Sequence, residues 1–104
     1  MICVNFDQNI LELKDKIVSL INPIKIILFS QKNDVKGRLQ SFKLCIIIDE
    51  DDKLRIEREI YLNADCDISF DVVLYTELEW EQNVGYTDSF AYKVENMGWV
   101  LYER

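Results

Sequence analysis

Apolar positions along the first part of this chain recur with the period of a helix. From residue 9 to residue 21 they are spaced by three or four residues: Ile10, Leu13, Ile17, Leu20 and Ile21. This spacing predicts an α-helix over residues 9–21 with one buried side. Asp7 is the predicted N-cap, and Asn22 followed by Pro23 is the predicted stop.

Two short apolar runs follow, separated by a polar segment. Residues 24–29 are rich in β-branched side chains, and residues 44–48 are apolar without alternation. The first run predicts a strand, and the second predicts a strand covered on both faces. Residues 30–40 between them are predicted to form a loop with one flexible glycine and three cations: Gly37, Lys32, Lys36 and Arg38.

The pattern then predicts a helix and a third strand. Residues 49–52 are all acidic, and their charge favours the start of a helix over residues 53–62. Residues 68–75 have the composition of a strand. Asp71 lies inside this strand among apolar neighbours, which makes it a candidate for a functional role.

Two helices and a final strand complete the predicted order. Thr76 and Glu79 have the spacing of a capping box, which predicts a short helix to residue 84. Asp88 is the predicted cap of the next helix, which ends at Gly98. Residues 99–102 are the last strand. The prediction is one domain over residues 1–104 of class α/β (α+β), with the order α-β-β-α-β-α-α-β. The sheet is expected either to carry helices on both sides or to cover one very deep core.

Charge and residue usage narrow the functions that this domain can have. A formal charge of −7 argues against non-specific binding of nucleic acid. It makes a basic partner electrostatically favourable, or it simply keeps a small domain soluble. The chain has no histidine, which excludes His-based triads and His-ligated zinc. Any catalysis would depend on carboxylates, lysines, cysteines or hydroxyls.

The cysteines and the apolar runs indicate the environment of the chain. Cys3, Cys45 and Cys66 are an odd number without a close pair, as expected in a reducing compartment. The apolar runs are much shorter than a membrane span. We therefore expect a cytoplasmic protein without a membrane contact, in which Cys45 is a small core residue.

Three segments together resemble the minimal nucleotidyltransferases (MNT) of the polymerase-β superfamily. Residues 26–29 resemble the strand that leads into the family's Gly-Ser loop, and residues 70–73 resemble the strand of its third carboxylate. Residues 89–102 are similar to its closing helix and strand. The resemblance implies a nucleotidyltransferase-like mixed sheet with flanking helices. In active members, an Asp-x-Asp pair on the second strand and one further acid bind two divalent cations for phosphoryl transfer.

The chain departs from that family at the metal ligands. Aligned without gaps, the Gly-Ser pair falls on Ser30 and Gln31, and the two acids fall on Phe42 and Leu44. In a second alignment the acid positions are Ser41 and Lys43. Neither alignment supplies a carboxylate on the second strand, so Asp71 is the one matched acid and the one candidate catalytic residue. No metal ligand set is predicted.

The resemblance then implies a degenerate phosphate cleft. Its candidate residues are Ser30, Gln31, Lys32 and Lys43. In the second alignment Lys43 would lie beside Asp71, where a Lys-Asp ion pair could take the place of the metal. Surface charge on a solvated loop is the alternative interpretation of the lysines.

Two functions follow from the resemblance. The first is a catalytically inactive domain that binds a protein partner, as the antitoxin-like component beside a helical HEPN protein, or that self-associates. The second is an active nucleotidyltransferase that uses ATP and Mg²⁺, which are expected as cofactors only in that case. A plain structural subunit is a third function for the same fold. Trp80 and Tyr86 are candidates for an aromatic docking surface.

Overall fold

The helices and strands follow one another in the predicted order. A computed structural model describes residues 6–104, which form a mixed α+β fold. Its elements are α1 (Gln8–Ile21), β1 (Lys25–Asn33), β2 (Leu39–Ile48), α2 (Lys53–Asn63), β3 (Ser69–Thr76), α3 (Glu77–Val84), α4 (Phe90–Met97) and β4 (Trp99–Glu103). None of the helices within residues 6–104 is long and apolar enough to cross a membrane.

The four strands form one mixed sheet in the order β3-β2-β1-β4. β1 pairs antiparallel with β2 on one side and with β4 on the other. β2 and β3 are parallel, with α2 as the crossover between them. This topology places β1, β2 and β3 side by side, so that residues from three strands can share one surface.

Helices cover both faces of the sheet, as the unbroken apolar run in β2 predicts. Phe42, Leu44 and Ile46 face one core, which includes the buried residues of α1 and α2. Cys45 and Ile47 face a second core with Trp80 of α3 and the buried residues of α4. β2 therefore sends alternate side chains to an α1/α2 face and an α3/α4 face.

Side-chain caps fix the helix starts. The Asn9 amide donates to Asp7 Oδ1 at 2.8 Å, and Thr76 and Glu79 form the predicted capping box. The predicted cap of α4 was wrong by one residue, because Ser89 Oγ, rather than Asp88, accepts the Tyr92 amide at 3.0 Å. Both residues are good caps, and the third amide of the helix lies within reach of Ser89.

The loop between β1 and β2 is shorter than predicted. β1 continues to Asn33 and β2 begins at Leu39, so the turn comprises residues 34–38 instead of residues 30–40. The extension is polar on its exposed side, but backbone pairing of two strands does not require apolar side chains. Gly37 has φ +82°, a left-handed conformation that glycine adopts without strain.

Candidate functional site

A β-bulge at Phe29 determines which residues of β1 share a face with β2 and β3. Leu28 pairs with Leu44, whereas Ser30 pairs with Lys43, so Phe29 is the additional residue in β1. Directly paired residues point their side chains to the same face of a sheet. The bulge therefore places Ser30 on the face of Lys43, and Lys32 on the face of its partner Ser41.

Six polar residues from three strands form two rows on this face. One row is Ser30, Lys43 and Asp71, and the other is Lys32, Ser41 and Ser69. We call this set the polar grid. It lies on the α3/α4 face beyond the area that these helices cover, and Lys32, Lys43, Ser69 and Asp71 are exposed there. Neighbours within a row are close enough for their side chains to bind one group together.

The polar grid contains four of the five predicted site residues. Ser30, Lys32, Lys43 and Asp71 are brought together, as a shared cleft requires. Gln31 pairs with the buried Phe42, so its side chain belongs to the opposite face. The sequence alone does not assign these faces, because the bulge at Phe29 shifts the alternation of β1 by one residue.

The two possible alignments of β2 are distinguished by burial. Phe42 and Leu44 are 1% and 0% exposed in the core against α1 and α2. They cannot share a surface with Asp71, because alternate residues of a strand face opposite ways. Ser41 and Lys43 lie on the face of Asp71, so only the second alignment is compatible with one site.

The expected ion pair between Lys43 and Asp71 is not formed. The residues are direct partners across the parallel strands, yet the ion pairs within 4.0 Å among residues 6–104 do not include them. Both side chains are exposed to water. An exposed pair gains little Coulomb energy and loses side-chain entropy, so neither side chain is held in a fixed position.

The chemistry of the polar grid is cationic and hydroxylic. Asp71 is its one carboxylate, beside two ammonium groups and three serine hydroxyls. Among the residues that the structure describes, no three His, Cys, Asp or Glu side chains are grouped so that they could hold a metal ion. A magnesium ion favours several oxygen ligands, preferably carboxylates, and the lysines would repel it.

The turn that follows β1 already binds a carboxylate through its own amides. The Lys36 and Arg38 amides donate to Asp34 Oδ1 at 2.9 and 3.0 Å. The Arg38 side chain lies 3.4 Å from Asp34 Oδ2. The amide of Gly37, between these two, donates to the Asp34 carbonyl oxygen at 3.0 Å, so the turn is held by hydrogen bonds to its own Asp34. These amides are therefore not free to hold the phosphates of a nucleotide.

An apolar pocket adjoins the polar grid. It has a volume of about 150 Å³ and is lined by Phe29, Phe90, Lys93, Val94 and Met97. Phe29 and Phe90 meet edge to face, with ring centroids 5.1 Å apart. The sequence did not reveal this pocket, because it depends on where α4 packs across β1. Phe29, which lines the pocket, immediately precedes Ser30 of the polar grid in β1.

Other candidate residues have structural roles. Trp80 is 7% exposed and packs edge to face on Tyr75, so it is a core residue, and the exposed Trp80 that would indicate a docking surface is not found. Tyr86 is exposed. Burial raises the pKa of the Cys45 thiol to about 12, which keeps it protonated and unreactive at neutral pH. Cys3 lies outside the described residues.

The chain matches no protein-family model, and comparisons with curated proteins and with solved structures gave no match. The fold by itself does not define a function. The functional evidence is therefore the polar grid, the occupied turn amides and the apolar pocket.

Proposed function

We propose that this domain is a nucleotidyltransferase-like protein of the minimal polymerase-β type that does not transfer nucleotides and acts by binding a protein partner. The expected partner is a helical HEPN-like protein that the domain neutralises, as in HEPN/MNT pairs. The observation that carries this proposal is the identity of the residues beside Asp71. They are Lys43 and Ser41, where catalysis would require two carboxylates.

The electrostatics of the polar grid support binding rather than phosphoryl transfer. Two-metal catalysis depends on carboxylates that hold the ions about 3.5–4 Å apart. Lys43 instead brings a positive charge to the position beside Asp71. The ammonium group of Lys43 can attract an anionic group of a partner, but it cannot bind a metal ion in place of a carboxylate.

The connections between the strands support the resemblance. An antiparallel β1–β2 hairpin is followed by the crossover helix α2 and a parallel β3. This order aligns the second strand with the acid-bearing third strand, which is the arrangement that the family's three carboxylates need. This arrangement supports a nucleotidyltransferase-like frame in which two of the three acid positions would carry other side chains.

Calorimetric titration with ATP tests the inactive half of the proposal. We expect no binding heat with or without Mg²⁺, because the grid has one carboxylate and the turn amides are occupied. Heat that requires Mg²⁺ and disappears in Asp71→Asn would contradict the proposal and favour the active enzyme. Asp88→Asn is the matched control, since Asp88 is exposed in the connection between α3 and α4.

Coexpression tests the binding half. With a HEPN-like protein encoded in a neighbouring reading frame as the partner, we expect copurification and relief of its toxicity. Asp71→Asn should neutralise as well as the unmodified chain, because binding does not need a metal ligand. If neutralisation requires ATP and Mg²⁺ and is lost in folded Asp71→Asn, a purely binding role is wrong.

A further inference from the structure

Positive charge is concentrated in one part of this acidic molecule. Residues 30–43 carry four cations, Lys32, Lys36, Arg38 and Lys43, against the single acid Asp34, although the whole chain has a formal charge of −7. The other 90 residues hold eight cations and eighteen acids. The β1–β2 hairpin is therefore a local positive region on a negative domain.

Two lysines of this hairpin and one lysine of α4 belong to the polar grid and the apolar pocket. Lys32 and Lys43 belong to the grid, and Lys93 lines the pocket. Within residues 6–104 none of the three forms an ion pair. All three are exposed. They can therefore meet the charge of a partner without first breaking an internal contact.

The pocket provides an apolar anchor point between these charges. Phe90 and Met97, which line it, are 41% and 76% exposed, so they present apolar surface to a partner. A volume of about 150 Å³ suits one apolar side chain rather than a whole small-molecule ligand. Interfaces commonly combine such a desolvated anchor with charges at the rim.

We propose that this surface binds an acidic peptide segment of a protein partner, in which one apolar side chain enters the Phe29–Phe90–Met97 pocket and flanking carboxylates meet Lys32, Lys43 and Lys93. This inference rests on the proposed binding function and specifies the contact. The net charge of the domain favours a partner that is basic overall, whereas this surface selects an acidic segment within it.

Two features favour an acidic peptide over nucleic acid. A nucleic-acid groove needs positive charge along an extended path, but the remainder of this chain is strongly acidic. The turn amides that could hold a phosphate are already bound to Asp34. A carboxylate of a peptide can bind through the lysine ammonium groups alone, and these groups are exposed.

The test is a peptide titration of the isotopically labelled full chain, followed by amide chemical shifts. The probe is a blocked pentapeptide with a central leucine and two glutamates on each side. We expect shifts at Phe29, Ser30, Lys43, Lys93 and Met97. The same peptide with lysines for the glutamates should not produce them, and a central glycine should weaken binding.

Charge reversal identifies the contact within the protein. Lys32→Glu together with Lys43→Glu should weaken binding of the acidic peptide roughly tenfold or more, as expected for the loss of two exposed charge pairs. The control for charge alone is Arg58→Glu, because Arg58 is exposed on α2, over the opposite face of the sheet. It should leave affinity nearly unchanged.

Each other outcome overturns the assignment. Equal binding of the lysine peptide, shifts elsewhere, or no shift at millimolar peptide would exclude an acidic segment. The same shifts with oligouridylate would indicate nucleic acid, and shifts that depend on protein concentration alone would indicate a second copy of the chain. A silent ATP titration together with a failed peptide titration would remove this inference and leave the proposed function standing.

Discussion

At the scale of single residues, Glu79 joins the start of α3 to the start of α2. Its Oε1 accepts the Thr76 amide at 3.0 Å, and its Oε2 accepts Lys53 Nζ at 2.9 Å. The backbone hydrogen bond from Thr76, followed by that from Lys53, holds the pKa of Glu79 below its ordinary value of 4.5. The carboxylate is therefore more favourable in the folded than in the unfolded chain.

This lowered pKa predicts an acid-dependent loss of stability. The contribution of Glu79 is fully present above its unfolded pKa and disappears as pH falls through the lower folded value. Glu79→Gln should remove that dependence and cost less than about 1 kcal/mol at neutral pH, because glutamine can still accept the Thr76 amide. Urea unfolding between about pH 3 and pH 7 measures the effect. The control is Glu81→Gln, on the exposed side of α3. If both variants reduce the pH dependence of the unfolding free energy equally, Glu79 does not have the proposed role.

At the scale of elements, Gly98 allows α4 to pack closely against β1. A Cβ at this position would lie 2.5 Å from Ile27 Cγ2 and 2.7 Å from the Val94 carbonyl oxygen. The Leu28 carbonyl oxygen would be 3.0 Å away. The backbone of Gly98 has φ −87°, so space, rather than a left-handed conformation, requires glycine here. The position of α4 also shapes the apolar pocket.

Gly98→Ala is therefore predicted to destabilise the fold. We expect a loss of about 1–3 kcal/mol, the usual cost of overpacking, since two of the three contacts are with backbone atoms. Thermal unfolding followed by tryptophan fluorescence measures it. Gly85→Ala is the matched control and should be nearly neutral, because a Cβ there would meet nothing within 4 Å. Equal stability of the two variants would show that the α4–β1 contact can relax.

The sequence predicted elements better than the surface they create. Period and capping located all the helices and strands, since both signals are local. The polar part of the β1–β2 hairpin, residues 30–33 and 39–43, has no apolar period. Backbone hydrogen bonds between the strands hold it, so the sequence pattern did not indicate it. The bulge at Phe29, which brings Ser30 and Lys32 beside Lys43, is a relation between two strands. Lys93 and its pocket require the position of α4, so no sequence pattern indicated them.

At the scale of the whole molecule, the sheet determines which residues share the polar grid and whether a metal site could be built there. β1, β2 and β3 present one continuous face, on which Ser41 and Lys43 lie beside Ser69 and Asp71. Directly paired side chains on neighbouring strands are about 5 Å apart at their Cβ atoms. A carboxylate at position 43 would directly face Asp71, and one at position 41 would lie diagonally across from it, beside Ser69. Three carboxylates in this arrangement could share one divalent cation.

This geometry predicts that metal binding can be installed by two substitutions. Ser41→Asp with Lys43→Asp should fold, because residues 41 and 43 are not in the core. It should bind Mn²⁺ more tightly than the unmodified chain, since three carboxylates replace one carboxylate and a repelling lysine. Calorimetry measures the affinity, and Mn²⁺ should raise the unfolding temperature of the variant but not of the unmodified chain.

The matched control moves both substitutions by one residue. Phe42→Asp with Leu44→Asp would bury two carboxylates in the core against α1 and α2, where the native side chains are 1% and 0% exposed. Unpaired buried charge is costly enough that we expect this variant not to fold, with or without Mn²⁺. A folded Ser41→Asp/Lys43→Asp variant without added Mn²⁺ affinity would mean that the three positions do not converge. The nucleotidyltransferase-like frame would then be wrong, since that frame requires these positions on β2 and β3 to meet at one point.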